Sequence, residues 1–463
     1  MHQTLFYIPK DVFGIPLFGY GILFWAVLVV TVAALLLRAR KHGMDEDAWS
    51  YIPMCFLAEI LIVVVAPNVS TPFGFPIRGY GVFLLLGISS AIGLLIYRAK
   101  KLWNIPPDTI FSLAIWCVVC GLAGARLFFI TEYWETIQAG TVGQTLLNIV
   151  SISEGGLVVY GSIIGGAVGS IVFLIRSKLP IFATLDLLAP ALLLGICFGR
   201  LGCLMNGCCF GGVTDVPWGI VFPQGAPAHL HQIEHEDVFV YGLKFRNGQT
   251  LHPEKPMKPT RLEPGKEEEG LRLYAKSKRS MLRISEVENG SEAEKSGLKP
   301  GMTVIGFGFV ERDTQYVEIV NDIVGAYIFL NDVLHGPGGK MMVVTDSPEP
   351  CHTYTFMANS TEVLPVHPTQ IYSSICAGIG CVVLLFISQF CKKDGQVAVM
   401  FLFWYPITRF TLEMIRTDEG SFMGTGLTVS QNVSIGVILL GTVLLVIIAQ
   451  RPAKRAYQGR FSK

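Results

Sequence analysis

Charge is scarce in this chain. Asp, Glu, Lys and Arg make up 15% of its 463 residues against 51% hydrophobic ones, and mean hydropathy is +0.50. Soluble domains ordinarily carry about 25% charged residues, so a wholly soluble protein is excluded. The 36 basic and 35 acidic side chains nearly cancel, and no basic patch is interleaved with aromatics. Nucleic acid is therefore not an expected partner. No small-residue cleavage site follows the first apolar run, whose positive charges come after it, so that run reads as an anchor and not a removed signal peptide. Lys and Arg are absent from Glu132 to Glu154. Cys203, Cys208 and Cys209 lack Cys-x-x-Cys spacing, which argues against a dithiol redox centre there; bracing of a loop through another outer thiol such as Cys351 is the simpler expectation.

Long apolar runs are abundant. A helix needs about 20 apolar residues to cross the hydrocarbon core. Runs of that size with almost no charge cover 12–37, 79–97, 155–175, 371–390 and 427–449. Runs interrupted by one or two charges cover 51–66 (Glu59), 109–131 (Arg126), 183–205 (Asp186, Arg200) and 395–415 (Arg409, Glu413). The expected architecture is a polytopic all-α membrane protein of about nine transmembrane helices, with a small β-rich soluble insertion.

Orientation follows from short-loop Lys and Arg. Arg38, Arg40 and Lys41 follow the first run, Arg98, Lys100 and Lys101 the third, and Arg176 and Lys178 the fifth. Lys392 and Lys393 follow the seventh, and Arg451, Lys454 and Arg455 the ninth. The N-terminus is expected outside and the C-terminus in the cytoplasm. Arg78, Arg126, Arg200, Arg409 and Glu413 then fall at the outer face. An ionisable group within a span costs roughly 2.5–3.5 kcal/mol at the bilayer centre, so several arginines at one depth point to an anionic ligand such as a lipid phosphate.

Phe13-Gly-Ile-Pro-Leu-Phe-Gly-Tyr-Gly21 recurs at an offset of 60 as Phe73-Gly-Phe-Pro-Ile-Arg-Gly-Tyr-Gly81, and Arg38-Ala-Arg-Lys41 recurs as Arg98-Ala-Lys-Lys101. Residues 1–72 thus read as a duplicated helix pair, with Phe18 where the second copy has Arg78. Between 224 and 365 the composition turns polar, with Lys, Glu and Pro dense over 255–278. Within this insertion Ser280-Met-Leu-Arg-Ile-Ser-Glu-Val-Glu-Asn-Gly-Ser-Glu-Ala-Glu-Lys-Ser-Gly-Leu-Lys-Pro-Gly301 spells a strand, a turn, a short helix and a turn into another strand. This resembles bacterial PDZ domains over about 280–345, which implies a peptide partner; the alternative is a degenerate domain that spaces or shields the site.

Three further blocks lie at the outer ends of their spans: Gly155-Gly-Leu-Val-Val-Tyr160-Gly161, Gly199-Arg200-Leu-Gly-Cys203-Leu-Met-Asn206-Gly-Cys208-Cys-Phe-Gly211, and His367-Pro-Thr-Gln-Ile-Tyr372. Arg409-Phe-Thr-Leu-Glu413-Met-Ile-Arg416 adds an i, i+4 ion pair with a further arginine. Together with Arg78-Gly-Tyr80-Gly81, Gly124-Ala-Arg126 and Leu427-Thr428 with Gln431, these blocks resemble the prolipoprotein diacylglyceryl transferases over 73–223 and 366–463. The resemblance implies transfer of diacylglycerol from phosphatidylglycerol to the lipobox cysteine of a prolipoprotein signal peptide, in the bacterial cytoplasmic (inner) membrane, with no cofactor and no metal. It implies catalytic roles for Arg200, Arg409 and Tyr160. Substrate contacts are implied for Arg200, Tyr80, Arg126, Asn206, Gly211, His367, Glu413 and Arg416.

The chain departs from the family pattern at Tyr160, where His is common, and at Cys203 and Cys208, which stand in place of Asn and Glu. With a reference pKa of about 10, tyrosine is a poor base. Either Tyr160 only hydrogen-bonds while arginines activate the thiol, or another group such as His367 serves. Two rival readings compete. One is a lipid-binding scaffold displaying the PDZ-like domain. The other is a membrane metalloprotease, from His231-Gln-Ile-Glu-His235 and nearby His229, although that segment shows no 3.6-residue apolar period.

Overall fold

The computed structural model describes residues 4–42, 56, 58–71, 74–138, 141–150, 156, 158–247, 282–311, 314–318, 327, 340–345, 352–357, 361–417 and 426–452. It divides into two compact units, one built from 2–205, 370–414 and 419–463, the other from 206–369 and 415–418.

Among the described residues of the first unit six helices are long and apolar enough to cross a membrane. They are α2 (Gly79–Trp103), α3 (Pro107–Glu132), α5 (Val159–Arg176), α6 (Ile181–Asn206), α9 (Thr369–Ile387) and α11 (Val429–Gln450). Further helices are α1 (Ile22–His42), α4 (Val142–Val150) and α10 (Gln396–Glu413), the last carrying Arg409 and Glu413. Side chains such as Leu85, Val118, Ile163, Val382 and Val443 point outward uncovered, as lipid-facing residues do.

The first apolar run is not helical throughout. Residues 11–16 form a tight hairpin, β2 (Asp11–Val12) with β3 (Ile15–Pro16), and α1 begins only at Ile22. Pro16 and the left-handed turn at Phe13 and Gly14 break the run that hydropathy alone extends back to 12. The second copy behaves alike. Gly74 has φ +128°, strand β4 (Phe75–Arg78) follows, and α2 starts at Gly79. Strand β1 (Thr4–Ile8) pairs antiparallel with β4.

The most buried of the six spans is α6. On one side Ala183, Leu187 and Ala191 meet Leu95, Ala99 and Trp103 of α2. On another, Ala189 and Leu193 meet Ala377 and Leu384 of α9 and Val397 of α10. Asp186, inside this span, is buried yet satisfied: its carboxylate accepts the amides of Gly395 and Ala398 at 2.8 Å each, capping the first turn of α10. A negative charge is favoured there by the unsatisfied amides of a helix N-terminus. Arg98 donates to the Asp186 and Leu187 carbonyls, and Lys393 donates to the carbonyls of Ile448 and Ala449 at the end of α11. Helices α3 and α5 pack backbone to backbone: a Cβ on Gly124 would collide with the Gly161 carbonyl, and one on Gly165 with that of Cys120. In lipid, where no hydrophobic effect drives helices together, such close approach supplies the packing energy.

The second unit is built on a six-stranded antiparallel sheet in the order β10–β9–β7–β6–β5, with β8 on β7. Its strands are β5 (Leu243–Asn247), β6 (Leu282–Val287), β7 (Thr303–Glu311), β8 (Thr314–Glu318), β9 (Lys340–Thr345) and β10 (His352–Met357). Short helix α8 (Glu292–Lys295) follows β6, its N-terminus capped by the Ser291 hydroxyl. The strand–turn–helix–turn–strand order expected over 280–305 is present, but the sheet reaches beyond 280–345. It takes in β5 before the charged linker and β10 after it. The linker at 248–281 and Cys351 lie outside the described residues. Leu243, Phe245, Leu282, Ile284, Val304, Phe307, Met341, Val343 and Phe356 form the core, with Ile233 from helix α7 (Pro227–Glu234).

Helix α7 corrects another expectation, because it carries the His-x-x-Glu-His segment. Its buried face is partly polar, so hydropathy did not reveal it: Gln232 is fully covered and exchanges two hydrogen bonds with the backbone of Leu364, at 2.9 and 3.1 Å.

Candidate active site

In the sheet-bearing unit three motif blocks, far apart in the chain, meet through backbone hydrogen bonds. Gly211 N–H donates to the His367 carbonyl at 2.9 Å, His367 N–H to Gly212 at 3.0 Å, and Gly212 N–H to Ile415 at 2.9 Å. Val366 bridges both Val213 and Ile220. Thr369 adds its hydroxyl to the Cys209 carbonyl at 2.6 Å. Gly211 is buried, and a Cβ there would lie 2.7 Å from the His367 Cβ and 2.9 Å from the Thr369 methyl, so only glycine allows the strands this close. The chain reaches this ladder through Gly207 and Cys209, at φ +73° and +59°. Asn206, His367 and Arg416 are half-buried around it.

The His-x-x-Glu-His residues brace this ladder. The His231 ring lies edge-on to Phe210 at 5.3 Å and within 3.3 Å of the Thr417 carbonyl, while His235 stacks on it at 3.9 Å. His229 is fully buried; its Nδ1 accepts the Gly225 amide at 3.0 Å, and its ring meets Tyr327 edge-on. Burial holds the His229 pKa down, to about 4, against a smaller opposing effect of a backbone hydrogen bond at Glu362. Among the described residues the group that brings three metal-type ligand atoms together is Cys203, Cys208 and Cys209, and it includes none of the three histidines. The sulfurs of Cys203, Cys208 and Cys209 lie within 4.8 Å of one another, and Cys351, the outer thiol expected to brace this loop, lies outside the described residues.

In the membrane unit Arg409 and Glu413 form the expected i, i+4 pair on α10, with Nη1 to Oε2 at 2.8 Å and a Glu413 side chain wholly buried. The other end of the guanidinium, Nη2, donates to the Ser430 hydroxyl at 2.8 Å. Tyr160, in the first turn of α5, places its hydroxyl 3.4 Å from the same Ser430 oxygen. Ser430 is the residue that sequence reasoning missed. Its signal was at hand: it lies between Thr428 and Gln431, which form a reciprocal capping box at the start of α11.

Arg200 is half-buried in the last two turns of α6. Beside it α2 comes close, because a Cβ on Gly202 would touch the Tyr80 ring at 3.3 Å and one on Gly79 would meet Met205 at 3.0 Å. Tyr80 itself is 41% exposed. Arg126 lies in the C-terminal part of α3 and is half-buried. Its guanidinium donates to the carbonyls of Ile149, Gly156 and Asn148 and lies over the Phe129 ring. It thereby ties the segment between α4 and α5 to α3.

The profile of the family described as prolipoprotein diacylglyceryl transferase matches residues 67–262 and 325–447. It extends into the insertion on both sides, further than the motif blocks alone. A phosphatidylglycerol–prolipoprotein diacylglyceryl transferase of Rhodopirellula baltica is 31% identical across 96% of this chain and 89% of its own length. That alignment therefore takes in most of residues 1–72 and most of residues 224–365. Proteins of the same name from Clostridium tetani and Thermosynechococcus vestitus are 35% and 32% identical over 37% and 38% of this chain, covering 69% and 65% of theirs. With more than half of its length matched and a near full-length relative, the chain belongs to the prolipoprotein diacylglyceryl transferase family.

Proposed function

We propose that this membrane enzyme transfers the diacylglyceryl group of phosphatidylglycerol to the lipobox cysteine of prolipoproteins as follows. The cysteine sulfur attacks the glycerol CH2 that carries the phosphate. A C–S bond forms, the C–O bond breaks with its electron pair going to the phosphate, and glycerol phosphate leaves with the thiol's proton released. Charge builds on the departing phosphate, so cations already fixed beside it favour the transition state over the ground state. The observation that carries this reading is Arg409, a half-buried cation gripped at both ends by Glu413 and Ser430 in a chain of this family.

Arg200 holds the lipid phosphate with its two-pronged guanidinium, Arg409 is its partner, and Tyr160 orients the reacting groups. Tyr80, Asn206, Gly211, His367, Glu413 and Arg416 shape substrate binding. Arg126 contributes through the segment it tethers. A lipid-binding scaffold without activity is the alternative. Complementation of a diacylglyceryl transferase-depleted bacterium separates the two: growth rescue supports the enzyme, and a well-expressed chain that fails to rescue supports the scaffold.

The same reading includes nine spans in the bacterial cytoplasmic membrane, N-terminus outside and C-terminus inside, with residues 1–72 a duplicated helix pair. A reporter after Lys463 is expected to read as cytoplasmic and one at Gln224 as external. It also assigns the insertion a PDZ-like peptide-binding role, supported by one observation. Strand β5 ends the sheet, following a tight turn in which Val240 and Leu243 exchange hydrogen bonds and Tyr241 and Gly242 have φ +53° and +84°. An extended peptide adds to such an edge through main-chain hydrogen bonds.

A further inference from the structure

Ser430 stands where two helices of the membrane unit present functional groups to one oxygen atom on a third. Its backbone is rigidly set: Thr428 caps α11, Gln431 returns the bond to the Thr428 amide at 3.0 Å, and the Ser430 carbonyl accepts the Ser434 hydroxyl at 2.8 Å. The side chain is buried at 6% exposure, so its hydroxyl is not exchanging partners with bulk water. A serine hydroxyl has one proton to give and two lone pairs to receive. Arg409 Nη2 takes one lone pair at 2.8 Å, and Tyr160 Oη, at 3.4 Å, lies within reach of the rest.

We propose that Ser430 is a positioning residue for the transfer reaction, holding the Arg409 guanidinium and the Tyr160 hydroxyl in one fixed arrangement. This rests on the transferase reading and deepens it. Glu413 holds the guanidinium at Nη1 and the Ser430 oxygen holds it at Nη2, so the two contacts act on opposite arms of the planar fork. Because the arginine donates to Ser430, the serine proton is directed away from it, and the nearby phenol oxygen is its natural acceptor. The phenol proton is then free to point at an anion. Arg409 and Tyr160, on α10 and α5, thus act as one unit through a residue on α11. Misplacement of a positioned group by about 1 Å can cost on the order of 10²-fold in rate.

The test uses the full-length chain in detergent with labelled phosphatidylglycerol and a lipobox peptide. Ser430→Ala is expected to lower kcat about 10- to 100-fold with KM for phosphatidylglycerol changed less than threefold, and Ser430→Thr, which keeps the hydroxyl, to recover much of the loss. Tyr160→Phe made on top of Ser430→Ala is expected to cost little more, because the two act together. A Ser430→Ala kcat within twofold of wild type, or fully additive losses with Tyr160→Phe, overturns the proposal. A separate readout does not depend on turnover: the Arg409 side-chain nitrogen signals, assigned by their loss in Arg409→Lys, are expected to show restricted Nη2 in wild type and averaged rotation in Ser430→Ala. Unchanged signals overturn the positioning role even if the wild-type chain fails to transfer lipid, an outcome that by itself sinks only the transferase reading.

Discussion

The amide of Gly211 donates to the carbonyl of His367 across 2.9 Å, joining two motif blocks that the whole insertion separates in the chain. The contact depends on the missing Cβ of Gly211, since one would lie 2.7 Å from the His367 Cβ. Gly211→Ala is therefore expected to push the strands apart, at a cost of about 1–3 kcal/mol typical of overpacking. Thermal unfolding of the purified chain should drop measurably, with transfer activity falling further than stability. A variant with wild-type melting and turnover would show that the ladder tolerates the extra methyl.

Asp186 lies at the other end of the argument. Its carboxylate accepts the first amides of α10, the helix that carries Arg409 and Glu413. Asp186→Ala removes a cap, typically worth about 0.5–2 kcal/mol, and leaves those amides unsatisfied away from water. Reduced membrane yield and a lower melting temperature are expected, with Asp186→Asn intermediate. Equal stability of Asp186→Ala and wild type would contradict the capping role.

His229 gives the sheet-bearing unit a pH dependence. Its folded pKa is about 4 against 6.5 unfolded, because burial disfavours the imidazolium. Between those values the unfolded chain takes up a proton that the folded one refuses. Stability is therefore full above about pH 6.5 and declines as pH falls toward 4, by about 3 kcal/mol at most. Hydrogen-exchange protection of β5 and β6 amides, compared at pH 7 and pH 4.5, should fall in wild type and much less in His229→Gln. Protection that does not change with pH would remove this account.

Much of the membrane architecture was legible because long apolar runs have few other uses, and because glycine and arginine blocks occur in a distinctive order. Boundaries were less legible. The stretch from Val12 to Gly21 is uncharged like the helix after it, so only Gly14 and Pro16 betray the hairpin. Helix α7 was hidden because its buried face is made of Ala228, His229, Gln232 and Ile233, two of them polar and hydrogen-bonded to backbone. Strand β5 was hidden because its partner β6 lies beyond the charged linker. At the site, charge drew notice to Arg126, whose guanidinium donates to three backbone carbonyls. Ser430 carries no charge, and only the capping box around it pointed to the residue that lies between Arg409 and Tyr160.

On the proposed reading, arginines at the ends of the spans stabilise a departing lipid phosphate. The most direct measurement is diacylglyceryl transfer from labelled phosphatidylglycerol to a lipobox peptide by purified Arg200→Ala, at amounts matched to wild type. Losing one preorganised donor to a developing anion typically costs on the order of 10²–10³ in rate. Arg200→Ala is expected to fall by that factor while remaining folded, and Arg200→Lys to recover little, because an ammonium lacks the two-pronged geometry. Near wild-type turnover in Arg200→Ala would contradict the account.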